Sequence, residues 1–112
     1  MLYSTYLDKL QQIAKYKPMD VEGCKAIFTD MGDELCKFAQ FEKVCSVLFA
    51  VIHKDYKWLR LEYKGSVQEM SEKLLIPQTT LYNWENGNRK PPQYLLQLIG
   101  FVVVQQLIGE GN

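Results

Sequence analysis

Residues 66–92, SVQEMSEKLLIPQTTLYNWENGNRKPP, constrain the fold more than any other part of the chain. Their spacing predicts two short helices joined by a tight turn. Ser66 is placed to cap the first helix, with Glu69 at the offset of a capping box. Val67, Met70 and Leu74 recur at helical spacing and give that helix one apolar face, ending at about Leu75. Ile76-Pro77 then breaks it, because proline disfavours α geometry in the residue before it while suiting the first turn of a new helix. The second helix is expected over 77–86 and stops at Gly87, the residue type best suited to a left-handed helix end. It turns Leu81 and part of Trp84 inward, and Gln78, Thr79, Tyr82, Asn83 and Asn86 outward. A short helix buried on one side, with amides and hydroxyls on the other, is suited to placing hydrogen-bonding groups in a groove.

This stretch resembles the helix-turn-helix of the phage-repressor (lambda-repressor-like, XRE-type) family. There an apolar-patterned helix leads through a turn into a recognition helix ending W-E-x-G, followed by a basic loop and a proline. The matching residues are Met70, Leu74, Ile76, Thr80, Leu81, Trp84, Glu85, Gly87, Arg89, Lys90 and Pro91. The specific motif covers about 27 of the 112 residues, and the family's five-helix unit extends to roughly 46–108. Three positions depart from the pattern. Leu75 stands where the turn usually carries Gly, Pro77 where Ser or Thr usually opens the second helix, and Val67 where Gln is frequent, although Gln68 follows it. Pro77 has neither an amide hydrogen nor a hydroxyl to offer a phosphate.

The resemblance implies an all-α domain whose second helix, 77–86, enters the major groove of double-stranded DNA. It implies base reading by Gln78, Thr79, Tyr82 and Asn83, and phosphate contacts by Asn86, Asn88, Arg89, Lys90 and Gln68. Trp84 is expected to pack beneath the helix and Glu85 to bond local backbone or Arg60. Lone His53 is expected at the surface or at a boundary, without a role.

Charge limits how such a chain can hold DNA. The 13 basic and 13 acidic residues sum to zero, with a net −1 over residues 1–52, +2 over 53–109 and −1 from Glu110. Duplex affinity without sequence preference comes mostly from phosphate neutralisation, so random DNA should be bound weakly. Arg89 and Lys90 concentrate positive charge beside the second helix, and Lys54, Lys57, Arg60 and Lys64 lie along the preceding segment. Three cysteines, Cys24, Cys36 and Cys45, form no C-x-x-C pair, so buried thiols in a reducing cytoplasm are expected rather than disulfides or zinc. No cluster has ligand spacing, and neither metal nor cofactor is expected. The start, MLYSTYLDKLQQ, is amphipathic and broken by charge, unlike a secretory signal.

The remainder is patterned as helix. Residues 2–16 place Leu2, Tyr6, Leu10, Ile13 and either Leu7 or Ala14 inward, until Lys17-Pro18 stops them. Asp20 caps a second helix running to about Thr29, with Val21, Cys24 and Ile27-Phe28 inward. A helical pattern over 33–63 is too long for one globular helix and should be interrupted near Gln40 or near His53–Asp55. The last helix, Gln93 to about Ile108, is apolar nearly all round yet too short and too glutamine-rich to span a membrane. It must be covered by core, or by core and a second copy through Phe101, Val104, Leu107 and Ile108. The expected organisation is a helical N-terminal extension (1–45) packed on the core of a helix-turn-helix domain (46–108, motif 66–87), then a flexible tail (109–112).

Two function classes follow. One is a sequence-specific, repressor-like transcriptional regulator of bacterial, phage or mobile-element type, acting as a homodimer. The other is a protein-interaction module on the same scaffold: an antitoxin, an anti-repressor or a phage-encoded inhibitor of a host defence such as an anti-CRISPR, able to repress itself as well. Its partner would engage the Tyr82, Arg89 and Lys90 surface. An enzyme is not expected, since no nucleophile–base pair, metal set or phosphate-cradling glycine loop is present.

Overall fold

The computed structural model describes residues 1–111, with side chains described through Gly109. Among the described residues there are seven α-helices and no strand. They are α1 (Tyr3–Tyr16), α2 (Val21–Asp30), α3 (Phe41–Ile52), α4 (Tyr56–Glu62), α5 (Val67–Leu74), α6 (Gln78–Glu85) and α7 (Gln93–Gly111). A 3₁₀ turn, Glu34–Lys37, lies between α2 and α3. The long helical pattern over 33–63 is therefore interrupted at both expected places rather than one. Asp33 starts the 3₁₀ turn by accepting a bond from the Leu35 amide at 2.8 Å, and also binds Lys9 of α1 at 2.8 Å. Burial by itself would raise the Asp33 pKa, but Lys9 and the Leu35 amide outweigh that and hold it below its ordinary value.

Helix α3 is the centre of the bundle. Val44, Cys45, Val47, Leu48, Ala50 and Val51 are all buried on it, and α1, α2, α4 and α7 pack around it. Its C-terminal end is closed by the chain itself. The Lys54 amide reaches Val51 O and the Asp55 amide reaches Ala50 O, which closes α3 with Lys54 in the left-handed region at φ 58°.

Helix α7 crosses α3 and α1 at Gly100, which has no room for a side chain. A Cβ there would overlap Val51 Cγ2 and the Tyr6 hydroxyl. The same hydroxyl donates to the Gln97 carbonyl at 2.7 Å. One turn away, the Phe101 ring meets Tyr3 edge-on at 5.0 Å and Tyr6 at 5.3 Å. Leu96, Ile99, Val103, Val104 and Leu107 complete the buried side of α7.

Three expectations are corrected by this packing. Leu2, expected inward, lies just before α1 and is 74% exposed. Of the alternatives for α1's inner face, Leu7 is half-buried and Ala14 exposed. Val104 and Leu107, assigned to a seam with a second copy, are 0% and 7% exposed within this chain. They are turned into the core of this chain, while Phe101 and Ile108 are half-buried. The large apolar side chains α7 leaves exposed are Tyr94 and Leu98 instead. Its backbone also stays helical to Gly111, past Ile108 and into the expected tail, of which Asn112 lies outside the described residues.

Gly100→Ala is expected to destabilise the fold by ~1–3 kcal/mol, since the obstructing groups belong to two other packed helices. Gly109→Ala, with nothing within 4 Å of its Cβ position, should be neutral or mildly stabilising. Urea unfolding midpoints of the two variants check this.

Candidate nucleic-acid interface

The helix pair α5–α6 follows from its end residues. Ser66 Oγ accepts a bond from the Glu69 amide at 3.1 Å, so the expected cap of α5 forms. Met70 is fully buried and Val67 and Leu74 half-buried along the core side. Helix α5 ends on Leu75, whose amide returns to Ser71 O with φ 56° and ψ 40°. This is the left-handed conformation that glycine adopts without steric cost. Leucine keeps the geometry of the turn, but its side chain is left 89% exposed. Pro77 stands just outside α6 with ψ 140° and makes no side-chain cap, so α6 runs Gln78–Glu85. Asn86 follows, and Gly87 at φ 76° stops the helix as its residue type predicts.

Two buried anchors fix the roll of α6. Leu81 is buried, and Trp84 lies beneath the helix with its ring edge-on to Tyr56 of α4 at 5.5 Å. At the edge of this contact, Arg60 Nε lies 3.8 Å from Glu85 Oε1, while the same guanidinium donates to Gly65 O at 3.2 Å. Arg60 thus ties α4 to α6 and to the hinge before α5. Burial pushes the Tyr56 phenol up to about 12, with Glu85 adding to the rise and Arg60 opposing it. Sequence reasoning missed a second tie. Gln106 of α7 accepts from the Lys64 amide at 2.9 Å and donates to the Lys64 carbonyl at 3.0 Å. One of four glutamines along an apolar helix carries no signal of a partner 42 residues away.

With Leu81 and Trp84 inward, the opposite face of α6 presents what the spacing predicted. Gln78, Thr79, Tyr82 and Asn86 are exposed, at the i, i+1, i+4 and i+8 positions of one helical face. Asn83 sits at the border, half-buried, and its carbonyl accepts the amides of Asn88 and Arg89 at 3.0 and 3.3 Å. Those two bonds curl the loop back against the helix end, which sets Asn88, Arg89 and Lys90 beside the exposed face. All three are exposed. Gln68 is exposed in the first turn of α5, where its amide donates to Glu72 Oε1 at 3.2 Å. The face of α6 itself bears amides, hydroxyls and no charge. Its nearest acid, Glu85, is turned toward Arg60.

Residues 57–99, from α4 into α7, match the helix-turn-helix family model. The match is to a helix-turn-helix of the lambda-repressor-like, XRE type and covers that segment, 43 of the 112 residues. Among curated proteins and solved structures, none matches the chain. No helix among the described residues is long and apolar enough to cross a membrane.

Leu75→Gly is expected to raise stability by up to about 1 kcal/mol, because the left-handed penalty of ~1–2 kcal/mol exceeds the extra chain entropy of glycine, ~0.5–1 kcal/mol. The shift in denaturation midpoint measures it. Leu75→Val, β-branched at the same φ, should move the midpoint the other way.

Proposed function

We propose that the protein is a sequence-specific, repressor-like transcriptional regulator that lays α6 in the major groove. The observation that carries this reading is the division of α6: Leu81 and Trp84 buried beneath, and an uncharged hydrogen-bonding face above. Amide side chains can make paired bonds to adenine, and hydroxyl and ring groups can meet the thymine methyl. Gln78, Thr79, Tyr82 and Asn83 are the base readers in this proposal. Asn86, Asn88, Arg89, Lys90 and Gln68 contact phosphate and set the register. A chain of zero net charge draws less of its affinity from phosphates, so more of its discrimination rests on the base contacts.

The reading includes a homodimer, since regulators of this kind reach two half-sites about one helical turn, ~34 Å, apart. With Val104 and Leu107 inside the protomer, the seam would have to use the uncovered stripe of α7 at Tyr94 and Leu98. Tyr94 lies two residues after the basic loop and the two prolines, so a second copy there would lie close to the DNA-facing side.

Duplexes retained from a random pool by the purified protein should be enriched in a palindrome. Gln78→Ala with Asn83→Ala should cost ~1–3 kcal/mol per lost base contact and relax preference at the positions read, with folding hardly changed. Changing Arg89 and Lys90 to Gln should weaken all duplexes alike and flatten the salt dependence by about two units of slope. A wild-type protein with no duplex binding even at low salt would reject this function in favour of a protein partner at Tyr82, Arg89 and Lys90.

Sedimentation at micromolar concentration is expected to show a dimer, and Leu98→Glu with Tyr94→Glu to return the 13.1 kDa monomer still folded. A wild-type monomer at every concentration would remove the dimer from the proposal.

A further inference from the structure

Behind the exposed face of α6 lies a cleft that DNA reading does not require. It opens between the α3–α4 turn and the loop that follows α6, and has a volume of about 450 Å³. That size falls within the ~300–1,000 Å³ of small-molecule sites. Lys54 and Lys57, from the α3–α4 turn and the start of α4, and Arg89 and Lys90, from the loop after α6, line it together with Trp84 and Tyr56. The one carboxylate on its lining, Asp55, accepts the Trp58 amide at 3.1 Å as the cap of α4.

The charge pattern is what marks the cleft. Elsewhere five cations are paired, Lys9 with Asp33, Lys25 with Glu22, Lys37 with Glu34, Lys43 with Glu62 and Arg60 with Glu85, while Lys15, Lys17 and Lys73 stand exposed on the surface. None of the four cations of the cleft has an ion pair among the described residues, although the protein as a whole is neutral. Four like charges gathered about one concave surface raise its positive potential and favour an anion there. Lys54 adds a second mark. It occupies the left-handed position at the end of α3, so one of the four charges is carried on a strained backbone. Tyr56 adds a third, since its hydroxyl is buried without a hydrogen-bond partner.

We infer that this cleft binds a small organic phosphate, with the phosphoryl group held among Lys54, Lys57, Arg89 and Lys90 and the organic body toward the rings of Trp84 and Tyr56. Ammonium and guanidinium groups together supply the charge-assisted bonds that a phosphoryl group accepts. The hollow exceeds what a bare phosphate needs, which argues for an ester. Binding itself is independent of the DNA reading. Its consequence rests on that reading: Arg89 and Lys90 would be shared with the DNA backbone, so the ligand would compete with duplex.

Titration of the full chain with adenosine monophosphate, followed by calorimetry and by amide and indole NMR shifts, tests the site. Saturable one-to-one binding is expected, with shifts at Lys54, Gly87 and the Trp84 indole, and none with uncharged adenosine. Lys54→Asn with Lys57→Gln should weaken it by about tenfold or more, the loss expected from removing charge-assisted bonds. Asparagine is chosen because it tolerates the left-handed backbone. Those two changes should leave duplex affinity unchanged, whereas Arg89→Gln with Lys90→Gln should weaken both ligands. Absence of saturable binding to adenosine monophosphate would overturn the inference. So would equal loss of duplex binding in the Lys54 and Lys57 variant, which would make the cleft a seat for the DNA backbone. Nucleotide binding in a protein that binds no duplex would uphold the site and reject the DNA function instead.

Discussion

The crossing of α7 over α3 and α1 at Gly100 is the contact on which the other elements depend. A helix with Leu96, Ile99, Val103, Val104 and Leu107 buried along one side has to lie close to its neighbours. The missing side chain of Gly100 permits that approach, and the bond from the Tyr6 hydroxyl to Gln97 O fixes it. From this position α7 reaches both ends of the bundle. Gln93 donates to Val51 O at the end of α3, and Gln106 holds the backbone of Lys64 ahead of α5. Helix α1 thus supports the helix-turn-helix indirectly, through α7.

The outward face of α6 is built by subtraction. Burial of Leu81 and Trp84 decides which side of α6 faces out, and the Arg60–Glu85 pair removes the charges that would otherwise sit at its edge. What is left is an uncharged face of hydrogen-bonding groups. Positive charge is displaced to the loop after the helix, where Asn83 O holds the Asn88 and Arg89 amides. A neutral chain can in this way concentrate its cations where an anion would meet them.

Much of this was legible in the linear pattern. The caps at Asp20 and Ser66, the stop at Gly87 and the inward set Leu81 and Trp84 all follow from local rules, and all form. These features act within one or two helical turns, so neighbouring residues contain the information. The placement of Leu75 is intermediate. The turn can be located from Ile76-Pro77, but the left-handed backbone under a leucine is imposed by how α5 and α6 pack. Along α7 the pattern gave less guidance. Apolar residues on every side state that the helix must be covered and not by what, which is how Val104 and Leu107 came to be expected at a seam.

By itself, then, the sequence determined an all-helical chain, the position of the helix-turn-helix within it and the side chains that α6 turns outward. Only the tertiary structure decided which face of α7 is core, that Gln106 clamps Lys64, and that Lys54 and Lys57 line one cleft with Arg89 and Lys90. The physical reason is range. Periodicity and capping are set by interactions three or four residues apart, whereas these meetings join residues more than 30 positions apart and exist only once the bundle has closed.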